Sequence, residues 1–176
     1  MIILASASAR RQELLKKIVK DFSIVVAGVD ETPTAVAPKK IAMELAERKA
    51  LCVYDKNPDD TVIASDTIVV YKNVVLGKPK DREDAVNTLT MLSGKWHKVV
   101  TGVAIINKCG KKVFCDVSRV KFFKLDKNKI EKYVDEFKPF DKAGSYGVQD
   151  GVTVEKVKGS YDNVMGLPTE KLRKYV

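Results

Sequence analysis

Two stretches rich in β-branched residues set the frame for the rest of this chain. Residues 62–76 read VIASDTIVVYKNVVL, and residues 97–125 read HKVVTGVAIINKCGKKVFCDVSRVKFFKL. Each is broken once by a short turn signal, Lys72-Asn73 in the first and Cys109-Gly110 in the second. Runs of this kind are stable as strands that double back, so a strand at 62–65 followed by a hairpin over Thr67–Leu76, and a second hairpin in the later stretch, are expected. Around them lie segments with the spacing of amphipathic helices. Hairpins combined with crossover helices give an α/β fold built on a mixed β-sheet with flanking helices.

The remaining elements follow from local signals. Ile2–Leu4 reads as a short first strand, followed by ASASARR and a helix striped by Leu14, Leu15, Ile18 and Val19. FSIVVAGVDE is expected to be a second strand ending at the carboxylates Asp30 and Glu31. Pro38 suits the first turn of a helix that runs through AMELAERKALCVY. A further helix spans about Asp81 to Leu92 and stops at Gly94. Asp126 caps another, which buries Ile130, Tyr133, Val134 and Phe137. A short strand at Val152–Val157 and a closing helix complete the chain. With 176 residues and no repeat or long linker, one domain spanning 1–176 is expected, with a lobed outline.

Composition narrows the functional classes. A hydrophobic content of 45% and a charged content of 31% belong to a globular chain rather than a disordered one. No apolar run is long enough to cross a bilayer, and MIILASASARR is too short and wrongly charged for a signal segment. Cys52, Cys109 and Cys115 lack metal-binding or CxxC spacing and read as reduced packing residues, so a cytoplasmic location is expected. The net charge of +9 comes mostly from lysines scattered along the chain, which is the pattern of a solvated surface. No nucleic-acid-binding signature accompanies them, and an anionic substrate accounts for the excess equally well.

Asp66 is the one carboxylate in the first apolar run, where it is read as following a strand at 62–65. A buried carboxylate is costly unless it is paired, hydrated or bound to a cation. Other polar residues also fall at expected strand ends. Ser6, Ser8, Arg10 and Arg11 follow the first strand, Asp30 and Glu31 the second, Asp66 and Thr67 the third, and Lys78 the first hairpin. Ligands of open α/β sheets collect outside strand ends. Carboxylates suit Mg²⁺, which retains water and takes substrate phosphates as further ligands, and basic groups suit phosphate oxygens. Together they describe a site for a metal-bound polyphosphate. SASARR lacks the glycines and lysine of a P-loop. His97, the single histidine, rules out a histidine-based metal site and is read as a packing residue near a strand start.

The ordered blocks SASARRQELL, VDE, ERKA, ASDTIV, GKP, SGKWHKVVTGV, DKAGSYGVQ and GSYDNVMGLP resemble the Maf family of nucleoside-triphosphate pyrophosphatases over essentially the whole chain. The resemblance implies an elongated α/β fold with a deep central cleft, similar to that of inosine-triphosphate pyrophosphatases. It implies hydrolysis of nucleotides to the monophosphate and pyrophosphate with a divalent metal, Mg²⁺ or alternatively Mn²⁺. The family is also linked to arrest of septum formation and tends to form homodimers. Carried over by motif, Asp66 is the expected catalytic carboxylate and a metal ligand, with Glu31 assisting at the metal. Arg11, Lys49 and Lys78 are expected to hold phosphates, with Ser8 and Arg10 in the same turn. Thr67 and Gln149 are expected to help select the base, and the pair Asp66-Thr67 resembles the branch acting on dTTP and UTP. The family's first block usually reads S-x-S-P-R-R, whereas Ala9 stands here in the proline position. That loosens the turn without removing a reactive side chain. The competing expectations are a basic module that binds DNA or a division protein without turnover, and a phosphatase that releases orthophosphate.

Overall fold

The computed structural model describes residues 1–176. Its strands form one seven-stranded mixed sheet: β1 (Ile2–Leu4), β2 (Ser23–Ile24), β3 (Thr61–Tyr71), β4 (Val74–Leu76), β5 (Trp96–Asn107), β6 (Gly110–Phe122) and β7 (Val154–Lys158). The order is β2-β1-β3-β5-β6-β7, with β4 pairing to β3. β1 lies parallel to both β2 and β3, and all other pairings are antiparallel. Both hairpins form as the sequence requires. Lys72 and Asn73 take positive φ (47° and 65°), which a tight two-residue turn between twisted strands demands.

The helices are α1 (Ala9–Lys16), α2 (Pro38–Tyr54), α3 (Arg82–Leu92), α4 (Lys127–Phe137), α5 (Tyr161–Met165) and α6 (Thr169–Leu172). Pro38 opens α2. Asp81 and Asp126 cap α3 and α4 by accepting from the backbone N–H groups of Asp84 and Lys129. The two faces of β3 bury different cores, as the two-residue period of a strand dictates. Val62, Ala64, Ile68 and Val70 pack towards α2 with Ala46, Ala50, Ile41 and Leu45. On the opposite face, Ile63 joins Leu14, Leu15, Leu167 and Leu172, and Val69 joins Leu89, Leu92, Ile130 and Val134. Covered on both faces, β3 is apolar almost throughout.

Several sequence expectations change. α1 stops at Lys16, and Ile18 and Val19 belong to the turns that follow. Only Ser23–Ile24 of FSIVVAGVDE pairs as a strand, because β1, its sole neighbour, is three residues long. The closing helix, expected after GSYDNVMGLPTE, is only the short Thr169–Leu172, and that block itself holds a further helix, Tyr161–Met165, which ends where Gly166 takes φ 114°. Asp66 does not follow a strand. It lies in the middle of β3, directly opposite Gly102 of β5.

Candidate active site

The cleft opens where β3 loses a neighbour along one edge. β1 pairs with β3 as far as Leu4↔Ile63, and β4 takes up the same edge only from Leu76↔Val69. Between them the chain leaving β1 carries Ser6, Ser8, Arg10 and Arg11, and the chain leaving β4 carries Lys78. The gap exposes the middle of β3 to a cavity of about 850 Å³. A mid-strand carboxylate is therefore reached from the side, through an interrupted sheet edge. The strand-end rule describes the neighbouring loops but not Asp66 itself.

Asp66 is 8% exposed and faces α2. Lys49 of α2 donates to Asp66 Oδ1 at 2.6 Å and lies 2.9 Å from Glu31 Oε1. α2 approaches this closely because Gly102 has no side chain: a Cβ there would meet the Ala42 carbonyl oxygen at 2.2 Å. Lys49 lies two helical turns beyond Ala42, on the same side of α2. The Lys49 hydrogen bond and charge hold the Glu31 carboxyl below its ordinary range, with smaller contributions from Lys78 and Arg11. Asp30 turns elsewhere and closes its own loop by accepting from Thr32 N at 2.8 Å.

Thr67, one residue on, faces the other side of the sheet. Its hydroxyl accepts from Arg11 Nη2 at 3.2 Å and lies 2.9 Å from the Thr101 hydroxyl. Arg11 Nε donates to the Gly166 carbonyl at 3.1 Å, and Nη1 lies 3.4 Å from Ser6 Oγ. Burial lowers the Arg11 pKa, partly offset by the charges of Asp66 and Glu31. Ser8 is the residue before α1, and its backbone N–H donates to Ser6 Oγ at 3.3 Å.

Gln149 arrives from the far end of the chain. The Gly144 N–H donates to the Gly77 carbonyl at 3.1 Å, which ties this loop beside Lys78. Gly144 has φ 71°, and a Cβ there would meet the Val69 side chain at 2.9 Å, so the loop lies directly against β3. Tyr133 closes it further, donating to Asp150 Oδ2 at 2.6 Å and accepting from Gly147 N at 2.9 Å.

Apart from Asp30, the strand-end and motif residues singled out in the sequence thus line one cleft: Ser6, Ser8, Arg10, Arg11 and Glu31, then Lys49, Asp66, Thr67, Lys78 and Gln149. Sequence reasoning missed Lys142, which also lines it and pairs with Asp141 at 3.0 Å. Its signal is the DKAGSYGVQ block, which also carries Gln149. It missed Thr101 and Gly166 too: both lie in quoted blocks, SGKWHKVVTGV and GSYDNVMGLP, but their partners are 34 and 155 residues away. Arg10, Arg11, Lys49, Lys78 and Lys142 outnumber the carboxylates Glu31, Asp66 and Asp141, a balance that suits an anionic ligand.

No three His, Cys, Asp or Glu side chains gather into a ready-made metal site. Glu31 and Asp66 each give one oxygen to Lys49 and keep the other. Those are hard oxygen donors of the kind Mg²⁺ takes alongside phosphates and water, so the pair fits a cation that binds together with a polyphosphate. His97, by contrast, is a packing residue. It lies 2.7 Å from the Tyr146 hydroxyl and edge-on to Phe122, and burial lowers its pKa to about 4. The three cysteines are unpaired, and no helix is long and apolar enough to cross a membrane.

The chain is similar to known proteins in both sequence and fold. The chain is 48% identical over 180 residues to a dTTP/UTP pyrophosphatase of Clostridium botulinum (strain Kyoto / Type A2), covering 97% of this chain and 93% of that protein. It is 46% identical to the dTTP/UTP pyrophosphatase of Aquifex aeolicus (strain VF5), covering 98% and 92%. Identity to that of Thermosipho africanus (strain TCF52B) is 45%, covering 97% and 89%. Among solved structures, the Staphylococcus aureus Ham1 protein shares the fold with a TM-score of 0.51 at 17% identity, over 70% of this chain and 72% of that one. The sequence model for Maf-like protein matches residues 1–176. With that match spanning every element that builds the cleft, the chain belongs to the Maf family.

Proposed function

We propose that this chain hydrolyses a pyrimidine nucleoside triphosphate, dTTP or UTP, to the nucleoside monophosphate and pyrophosphate. The observation that carries the reading is the buried Asp66, held by Lys49 beside Glu31 on the wall of a cationic cleft. The activity named for the relatives supports the choice of substrates.

In this mechanism Asp66 accepts a proton from a water molecule aligned on the α-phosphorus. The water oxygen bonds to that phosphorus, the bond to the bridging oxygen breaks, and pyrophosphate leaves with the electron pair. Arg11, Lys49 and Lys78 neutralise charge on the phosphate oxygens, with Ser8 and Arg10 offering further donors from the same turn. A divalent cation, Mg²⁺ or Mn²⁺, held by Glu31, Asp66 and the substrate phosphates, would supply Lewis-acid neutralisation of that charge. Thr67 and Gln149 face the base and favour a pyrimidine edge.

The test is to incubate the protein with UTP and Mg²⁺ and identify the products by phosphorus NMR. UMP with pyrophosphate is the expected outcome. UDP with orthophosphate would make the protein a general phosphatase. Unchanged UTP, together with salt-sensitive DNA binding, would make it a binding module.

A further inference from the structure

The hydrogen bonds around Thr67 can run in only one direction. Thr101 Oγ1 lies 2.9 Å from the Asn163 carbonyl oxygen, which can only accept, so Thr101 donates there. Thr101 therefore has no proton left for Thr67, and the 2.9 Å contact between the two hydroxyls must be donated by Thr67. Arg11 Nη2, which can only donate, gives its proton to Thr67 Oγ1. The chain is thus Arg11 to Thr67 to Thr101 to the Asn163 carbonyl. It is well shielded, since Thr101 and Asn163 are both fully buried. Asn163 is itself fixed, donating through Nδ2 to the Val99 carbonyl and to Ser118 Oγ. Gly166 confines the other end, because a Cβ there would meet Arg11 Nε at 3.2 Å and Thr67 Oγ1 at 3.3 Å.

We propose that Thr101 is a positioning residue that makes the Thr67 hydroxyl an acceptor only, and so decides which pyrimidine edge the cleft takes. The proposal rests on the nucleotide reading above and adds a direction to it. With its proton committed to Thr101 and one lone pair taken by Arg11, Thr67 has one lone pair to offer a base. Uracil and thymine carry an N–H at position 3, which can donate to it. Cytosine carries a lone pair there, which would be left facing another lone pair. The arrangement favours UTP and dTTP over CTP by about tenfold or more.

The test compares kcat/KM for UTP and CTP in the wild type, Thr101→Val and Thr101→Ser. Valine keeps the shape and removes the hydroxyl, freeing the Thr67 proton to turn towards the base. The expected result is a UTP-to-CTP ratio that falls about tenfold in Thr101→Val and is retained in Thr101→Ser. A wild-type ratio near one, or equal losses on both substrates in Thr101→Val, would overturn the proposal. A wild type that releases no pyrophosphate from any nucleotide would instead defeat the functional reading. The proton direction is then read without turnover, by neutron diffraction of the deuterated protein. That experiment also serves if Thr101→Val fails to fold. The expected deuterium positions are on Thr67 towards Thr101 and on Thr101 towards the Asn163 carbonyl. A Thr101 deuterium directed at Thr67 would overturn the proposal.

Discussion

Lys49 Nζ lies 2.6 Å from Asp66 Oδ1, and both side chains are only 11% exposed. An ammonium has three donors, and here two go to Asp66 and Glu31. In the proposed mechanism the third goes to a substrate phosphate, so that one lysine ties the base to the leaving charge. The pair also stabilises a carboxylate that would otherwise be costly in the middle of an apolar strand.

Asp66→Asn is expected to lower kcat at least about a hundredfold, roughly 3 kcal/mol in the barrier, while the fold persists. The amide is nearly isosteric and Lys49 keeps Glu31 as a partner. Steady-state kinetics with the circular dichroism spectrum checks this, and near-native turnover in the purified variant would remove Asp66 from the mechanism.

Lys78 is exposed and makes no ion pair, so its removal costs little stability. Lys78→Ala should nevertheless reduce kcat and kcat/KM together, because in the proposed mechanism Lys78 faces charge that grows as pyrophosphate departs. A rise in KM alone would make Lys78 a uniform binding contact.

Gly102→Ala tests why α2 can reach Asp66 at all. The added Cβ would sit 2.2 Å from a backbone oxygen of α2, which cannot rotate away. A loss of about 3 kcal/mol is expected, with a further fall in activity as Lys49 retreats from Asp66. Urea unfolding measures it, and a change within about 0.5 kcal/mol would show that α2 yields without cost.

These residues also mark how far the sequence could be read. Pro38, Asp126 and Lys72-Asn73 were legible because a cap or a tight turn depends on residues a few positions apart. The mid-strand position of Asp66 was not, because the gap beside it depends on where β1 ends and where β4 begins. FSIVVAGVDE has strand composition, but pairing depends on a neighbour, and its neighbour is short. The cleft residues lie in ordered motifs, whereas the carbonyls that support Arg11 and Thr101, those of Gly166 and Asn163, are backbone groups that any sequence supplies.

His97 gives the fold a pH dependence of its own. Folded, it takes a proton only near pH 4, against an ordinary value of 6.5. Between those values the unfolded chain binds more protons, so stability is full above about pH 6.5 and declines as pH falls towards 4. By pH 5 the loss should be about 2 kcal/mol. Denaturant titrations of the wild type and His97→Phe at pH 7 and 5 isolate this contribution. An equal pH slope in both proteins would assign the dependence to other groups.

The central claim is that water, activated by Asp66, attacks the α-phosphorus directly. A single turnover of UTP in ¹⁸O-labelled water tests it, with both products analysed by mass spectrometry. The account predicts one ¹⁸O in UMP and none in pyrophosphate. Label in pyrophosphate would place the attack on the β-phosphorus, and both products unlabelled would mean that an oxygen of the protein attacks first and ends in UMP. Either result would contradict the mechanism.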